Sequence, residues 1–284
     1  MATTEKYRDE LPHLSRGKAI GEGLGEVVRA CCAVAAKPGA GNLDARAVHV
    51  ARRVLKRARA VLRLGEALGV AGAMPARRRL TRLARELSPR RDAVVVRKIA
   101  RRLAEKLEKK MPEETTAPGR SESGTEETKW WGQWKQKLVA EAGRLERVAW
   151  GEPTLDDVRR ALQRTAKQVC KRADKVRRKG DIASAHEWRK AVIVLREQVL
   201  VVRPWLGNEV EMVGERLHSL ALRLGRATDY NVFVEAVRRR DGSVESPEVN
   251  SRLAKIGCAR RRRAIKNARR RWPKVRRSLR KISR

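Results

Sequence analysis

The sequence predicts an all-α protein of two halves with about four helices each, and three observations carry that reading. Apolar residues recur at helical spacing through most of the chain. Nothing alternates with period two over a length that would make a buried strand. The third observation is an internal duplication: the stretch from His49 to Arg59 returns at an offset of 137 residues, with His49, Arg52, Arg53 and Arg59 matched by His186, Arg189, Lys190 and Arg196. The same offset aligns Arg79-Leu80 and Leu83-Ala84 with Arg216-Leu217 and Leu220-Ala221, Leu87 with Leu224, and Asp92 with Asp229.

Taken in order, residues 1–14 read as a loose arm, and the first half as 15–150. A helix from Ser15 to Ala36 stops at Lys37-Pro38-Gly39. Asp44 is placed to cap the helix that carries His49, which runs to about Leu68 before Gly69 and Gly72. Pro75 suits the first turn of a third helix. Ser88 to Asp92 marks a turn, and a helix from Asp92 to Lys110 buries Val95, Ile99, Leu103 and Leu107. Residues 112–128 shift to acidic and polar composition with Pro, Gly and Ser, which predicts a disordered, solvated loop. A helix resumes from Trp130 to Trp150.

The second half, 151–284, opens with Thr154 and Asp157 spaced as a capping box for a helix that ends at Gly180. Asp181 to Trp205 is the second His-bearing helix, and another spans Val210 to Leu224. Gly225 to Asp229 is expected to turn as Ser88 to Asp92 does, with helix continuing to Arg240. After a loop containing Asp241-Gly242-Ser243 and Ser246-Pro247, an Arg-rich helix runs from Asn250 to about Ile282.

The segment around which both halves are organised is Val48 to Arg63. Wound at about 100° per residue, it puts His49, Arg52, Arg53, Lys56, Arg57, Arg59 and Arg63 on one broad side and Val54, Leu55, Ala58, Val61 and Leu62 on the other. Like charges one turn apart repel, so a strip of one sign carries a cost that an anionic partner relieves. The formal net charge of +36 agrees. It makes nucleic acid, polyphosphate or an anionic membrane surface the natural partners. Aromatic residues are only 4% of the chain, which equips it poorly for stacking on bases and well for gripping phosphates. The apolar helix faces are needed for a bundle core, so stable membrane insertion is not expected, and no run of 18 apolar residues occurs. Cys31, Cys32, Cys170 and Cys258 lack metal-ligand spacing and read as thiols in a reducing cytoplasm. No metal cluster, nucleophile–base pair or phosphate-cradling Gly loop is present, so no catalytic residue, metal or cofactor is assigned.

These paired units resemble the CHAD domain, a family named for a histidine-bearing α-helical domain. Its pattern is a helix with His, an Arg three residues on and further cations along the same face, then a Leu-Gly-x-x-Arg/Asn-Asp segment, the whole occurring twice. Here the first unit has His49, Arg52, Lys56, Arg57 and Arg59, then Leu87 to Asp92; the second has His186, Arg189, Lys190 and Arg196, then Leu224 to Asp229. The resemblance spans roughly residues 15–284. It implies two tandem four-helix bundles, pseudo-twofold related around a basic central groove or pore that binds inorganic polyphosphate, in a stand-alone cytoplasmic protein that can go to polyphosphate granules. A Glu-x-Glu-x-Lys motif of a triphosphate-tunnel partner domain is not found.

The expected polyphosphate contacts from the first unit are His49, Arg52, Arg53, Lys56, Arg57, Arg59, Arg63, Arg79 and Arg82, and from the second His186, Arg189, Lys190, Arg196, Arg203 and Arg216. Arg grips phosphate oxygens through a planar fork of donors, Lys as a point charge, and each His gains charge as a polyanion arrives. Asp92 and Asp229 are read as helix caps or as groups that orient a basic side chain. Of the Arg260–Arg263 and Arg269–Arg271 runs, one helical face can join the groove. Nucleic acid held by its backbone is the alternative ligand and a weaker competitor. Departures from the pattern fall mostly in the second unit: Ile193 where Lys is usual, Glu197 beside the strip, and Thr228 before Asp229; Ser88 stands where Gly is usual in the first. The two halves are therefore expected to contribute unequally.

Overall fold

The computed structural model describes Pro12 and residues 17–37, 45–106, 124–239 and 247–283, and among them the protein is all helical. The helices are α1 (Ile20–Ala36), α2 (Ala45–Ala67), α3 (Ala73–Glu86), α4 (Ser88–Lys106), α5 (Gly124–Glu146), α6 (Leu155–Lys179), α7 (Ile182–Leu206), α8 (Asn208–Arg239) and α9 (Pro247–Leu279), followed by a 3-10 turn at Arg280–Ser283. The N-terminal arm apart from Pro12, the Asp44 cap, residues 112–123 of the acidic loop and the loop from Asp241 to Ser246 lie outside the described residues.

Local chemistry sets several boundaries where the sequence places them. The Thr154 hydroxyl accepts from the Asp157 N–H at 3.2 Å while the Asp157 carboxylate accepts from the Thr154 N–H at 3.0 Å, a complete capping box. The helix it opens, α6, ends at Gly180, whose φ of +65° is the left-handed stop glycine adopts without strain. One residue on, the Asp181 carboxylate accepts from the Ser184 N–H at 2.6 Å and starts α7.

Three expected boundaries are corrected, the first being that Ser88 to Asp92 is not a turn but the opening of α4, which begins directly after Leu87. Gly225 to Asp229 is not a turn: α8 runs unbroken from Asn208 to Arg239. The break in the first half belongs to Pro89, which has no N–H to donate to the Arg85 carbonyl and so separates α3 from α4 at Leu87. The matching position in the second half is Arg226, which keeps its N–H, and a glycine inside a helix costs only about 1 kcal/mol. Likewise α5 begins at Gly124, so residues 124–128, read as loop, are its first turn, with Glu126 and Glu127 beside the positive end of the helix dipole.

One continuous buried cluster joins both halves. It holds Val54, Leu55, Ala58, Val61 and Leu62 of α2 together with Trp188, Val192, Leu195, Val199 and Val202 of α7. The helix α2 is the hub, packing on α1, α3, α4, α6 and α7. A smaller cluster, Ile99 and Leu103 of α4 with Phe233 and Val234 of α8 and Leu253 of α9, ties the end of the first half to the second. The consequence for function is direct: the two His-bearing helices are neighbours, held side by side by core packing. Cys31 and Cys32 are free thiols in this core, and burial pushes both up, Cys32 to about 12.

Candidate anion-binding site

Because α2 is surrounded, the middle of its cationic strip is not a solvated face, although His49 and Arg63 at the two ends are exposed. Arg52, Lys56 and Arg59 are half-buried. Arg189 of α7 and Arg91 of α4 stand close enough to Arg52 and Lys56 to act on their charges. Lys56 records the result. Burial first, then Arg189, Arg52 and Arg91, push its ammonium down to about 7, against partial relief from Glu197, and it has no ion-pair partner among the described residues. Arg52 and Arg189 are lowered too, chiefly by burial and then by neighbouring charge. For Arg189 the Asp229 carboxylate offsets part of the effect, while Arg91 and Arg52 add to it.

The repeat reappears in the way these arginines are held. Arg52 donates to the Ser88 hydroxyl at 3.0 Å and to the Ala84 carbonyl at 3.4 Å. Its counterpart Arg189 lies along Gly225, the position matching Ser88, where an added methyl would sit 3.6 Å from its Nε. The guanidinium lies along α8 at this glycine, at a spacing an alanine methyl would fill in ordinary contact, and the buried Arg189 Nε finds no acceptor among the described residues. Arg91 donates to Asp92 at 2.8 Å and also to Asp229. Its guanidinium is raised: burial opposes the charge, and the two carboxylates outweigh it. Asp92 and Asp229 lie inside α4 and α8, so they cap nothing; they hold this one arginine.

Both imidazoles border the same array. His49 is lowered by partial burial, then by Lys56, Arg53, Arg52 and Arg91; His186 by burial, then Lys190 and Arg189, with Glu187 opposing and Arg91 adding. Arg91 therefore acts on His49, His186, Lys56 and Arg189 alike, and marks the point where the halves meet. Further along α2, Arg59 is lowered by burial and by Arg52, Arg77 and Arg85, which extends the positive region toward α3.

Other expected contacts are placed differently. Arg57 is buried between α2 and α7, donating to Glu197 at 3.0 Å and to the Pro12 carbonyl at 3.0 Å. Arg196 donates to the same Glu197 at 2.6 Å. Arg79 pairs with Glu141 of α5 at 2.7 Å, Arg203 with Glu211 at 2.7 Å and Lys190 with Glu187 at 2.6 Å. Arg63 and Arg82 are exposed, Arg53 and Arg216 half-buried. Arg91, Arg77 and Arg85 are the cations the sequence reading left out; for Arg91 the signal was its place directly before Asp92.

Comparison with known families decides the relationship. The family model of the CHAD domain matches residues 26–238. The chain belongs to the CHAD domain family. The match covers α2, α7 and the α3–α4 and α8 segments that hold the arginine array, so the whole array lies within the CHAD domain. The helix α9 follows the matched residues. Neither a curated protein nor a solved structure matches the chain. No described helix of this CHAD protein is long and apolar enough to cross a membrane, and the described residues contain no group of His, Cys, Asp and Glu fit to hold a metal ion.

Proposed function

We propose that this CHAD domain binds inorganic polyphosphate in a basic groove to which both halves contribute, with Arg52, Lys56, Arg59 and Arg91 on one side and Arg189 on the other, and His49 and His186 at its border. The halves, expected as four-helix units, hold five described helices (α1–α5) and four (α6–α9), and are read as related by a pseudo-twofold axis. The observation that carries the reading is Lys56: an ammonium beside three arginines, with no ion-pair partner among the described residues and only partial relief from Glu197, is stabilised by a ligand that brings many negative charges and little else. A phosphate chain does so, and the unpartnered Nε of Arg189 gives it a further donor.

The protein acts by binding, not by catalysis, in the cytoplasm and at polyphosphate granules. Nucleic acid competes weakly, since the array offers donors for phosphate and no aromatic ring for a base. The test is competition between long polyphosphate and RNA at equal phosphate concentration in physiological salt. Polyphosphate is expected to win by at least tenfold, and incubation with it and magnesium to leave its length unchanged. Equal affinity for RNA contradicts the reading.

A further inference from the structure

On another flank of α7 the chain carries a second opening. Trp188 follows His186 by two positions, about 200° around the helix, and precedes Arg189 by one, about 100°, so it presents a different side of α7 from either. There a cleft of about 620 Å³ lies along the C-terminal part of α6 and along α9. That is within the range of small-molecule sites. Its apolar wall is Trp188, Ile265, Trp272 and Pro273. The two indoles meet edge to face with centroids 5.5 Å apart. Trp188 is fully buried and its indole N–H has no acceptor among the described residues, whereas Trp272 is only half-buried and keeps part of its ring accessible.

Around this wall stand Arg177 of α6 and Arg262, Lys266, Arg269 and Arg270 of α9, with Asp174 the one carboxylate among the lining residues. The α9 cations recur one and two turns apart, so they follow the cleft along one side. None of the five forms an ion pair among the described residues. A bare phosphate chain uses such a rim and gains nothing from the indoles. A fatty acid uses the apolar wall and leaves most of the cations unmatched. A flat aromatic ring joined to several phosphates uses both.

We propose that this cleft binds a nucleoside triphosphate, its base against Trp272 and its phosphates along Arg262, Lys266 and Arg269. The wall and rim come largely from α9, beyond the residues that define the family match, so the site is separate from the arginine array and does not depend on the polyphosphate reading. The experiment is calorimetric titration of the full chain carrying Lys56→Ala and Arg189→Ala with ATP, inorganic tripolyphosphate and adenosine. ATP is expected to bind about tenfold more tightly than tripolyphosphate, the share a stacked base supplies, and adenosine only weakly. Trp272→Ala is expected to remove that advantage while leaving tripolyphosphate binding unchanged. Arg262→Ala with Arg269→Ala, at exposed positions, is expected to weaken ATP without disturbing the fold. Tripolyphosphate binding as tightly as ATP, indifference to both sets of changes, or loss of ATP binding in the Lys56→Ala, Arg189→Ala chain overturns the proposal. Failure of the polyphosphate reading is read separately, from long-chain polyphosphate binding that survives those two array substitutions.

Discussion

Arg91 on α4 donates to Asp229 on α8, and through its other amino group to Asp92 beside it at 2.8 Å. The two aspartates occupy equivalent positions of the duplicated unit, while the position equivalent to Arg91 holds Thr228. One arginine thus serves both copies, and the asymmetry expected from Thr228 takes this form. Losing it removes the ion-pair partner of both carboxylates, whose charge then falls on Arg189 and Arg52 and competes with an anionic ligand for them. Arg91→Ala is expected to lower polyphosphate affinity at least tenfold, and Thr228→Arg in the same chain to restore part of it, since the new guanidinium would start from the matching place beside Asp229. Titration calorimetry at fixed salt checks both; full affinity in Arg91→Ala contradicts the role.

Lys56 predicts a gain in stability at the expense of binding. Its ammonium stands at about 7 in the folded protein against 10.5 ordinarily, so between these pH values the unfolded chain binds more protons. The cost to folding is absent above about pH 10.5 and complete below about pH 7. Lys56→Met is therefore expected to raise Tm by about 3–8 °C at pH 6 and hardly at all at pH 10.5, while weakening polyphosphate binding. Thermal unfolding at the two pH values measures the difference.

Binding and protonation are linked through the same groups. A polyanion raises Lys56, His49 and His186 toward or above their ordinary values, so the complex takes up protons near pH 7 and affinity increases as pH falls from 8.5 to 6. Calorimetry in buffers of different ionisation enthalpy reads the uptake directly. Lys56→Arg, charged throughout, is expected to remove most of it and to flatten the profile.

The Arg57–Glu197 pair predicts the opposite separation, stability without binding. Both side chains are buried between α2 and α7. Glu197→Ala leaves Arg57 charged and unmatched, at a cost of about 3–5 kcal/mol, whereas Arg57→Met with Glu197→Leu is expected to recover most of that loss. Urea unfolding gives the cost. The polyphosphate affinity of the folded fraction is expected to change by less than threefold in the double variant, since the two groups are spent on each other in the core and Glu197 is the smallest of the influences on Lys56.

Much of this molecule was legible in its sequence, for a physical reason. Helical periodicity, the Thr154 capping box and Gly180 are local patterns, and each reappears where the sequence places it. What was not legible depended on partners distant in the chain. Gly225 does not end a helix, because Arg226 keeps the N–H that Pro89 lacks at the matching position and a glycine alone costs a helix little. Arg57 shares a helical face with Lys56 on paper, but Glu197 on the neighbouring helix claims it. Arg91 gains its place only once Asp92 and Asp229 are close in space. The strip on α2 is expected to line a groove, but how far its middle is buried depends on the five helices around it, and that burial is the first cause of the low Lys56 ammonium.

The most direct test compares two chains of equal charge. One carries Arg52→Ala, Lys56→Ala, Arg189→Ala and Lys190→Ala; the other loses the exposed cations Arg97, Lys98, Arg102 and Lys129 instead. In long-polyphosphate titrations at physiological salt, the first is expected to lose at least a hundredfold in affinity with helicity intact, and the second no more than a few fold. Equal losses in the two chains would mean that net charge alone holds the ligand, and would contradict a shared site between the halves.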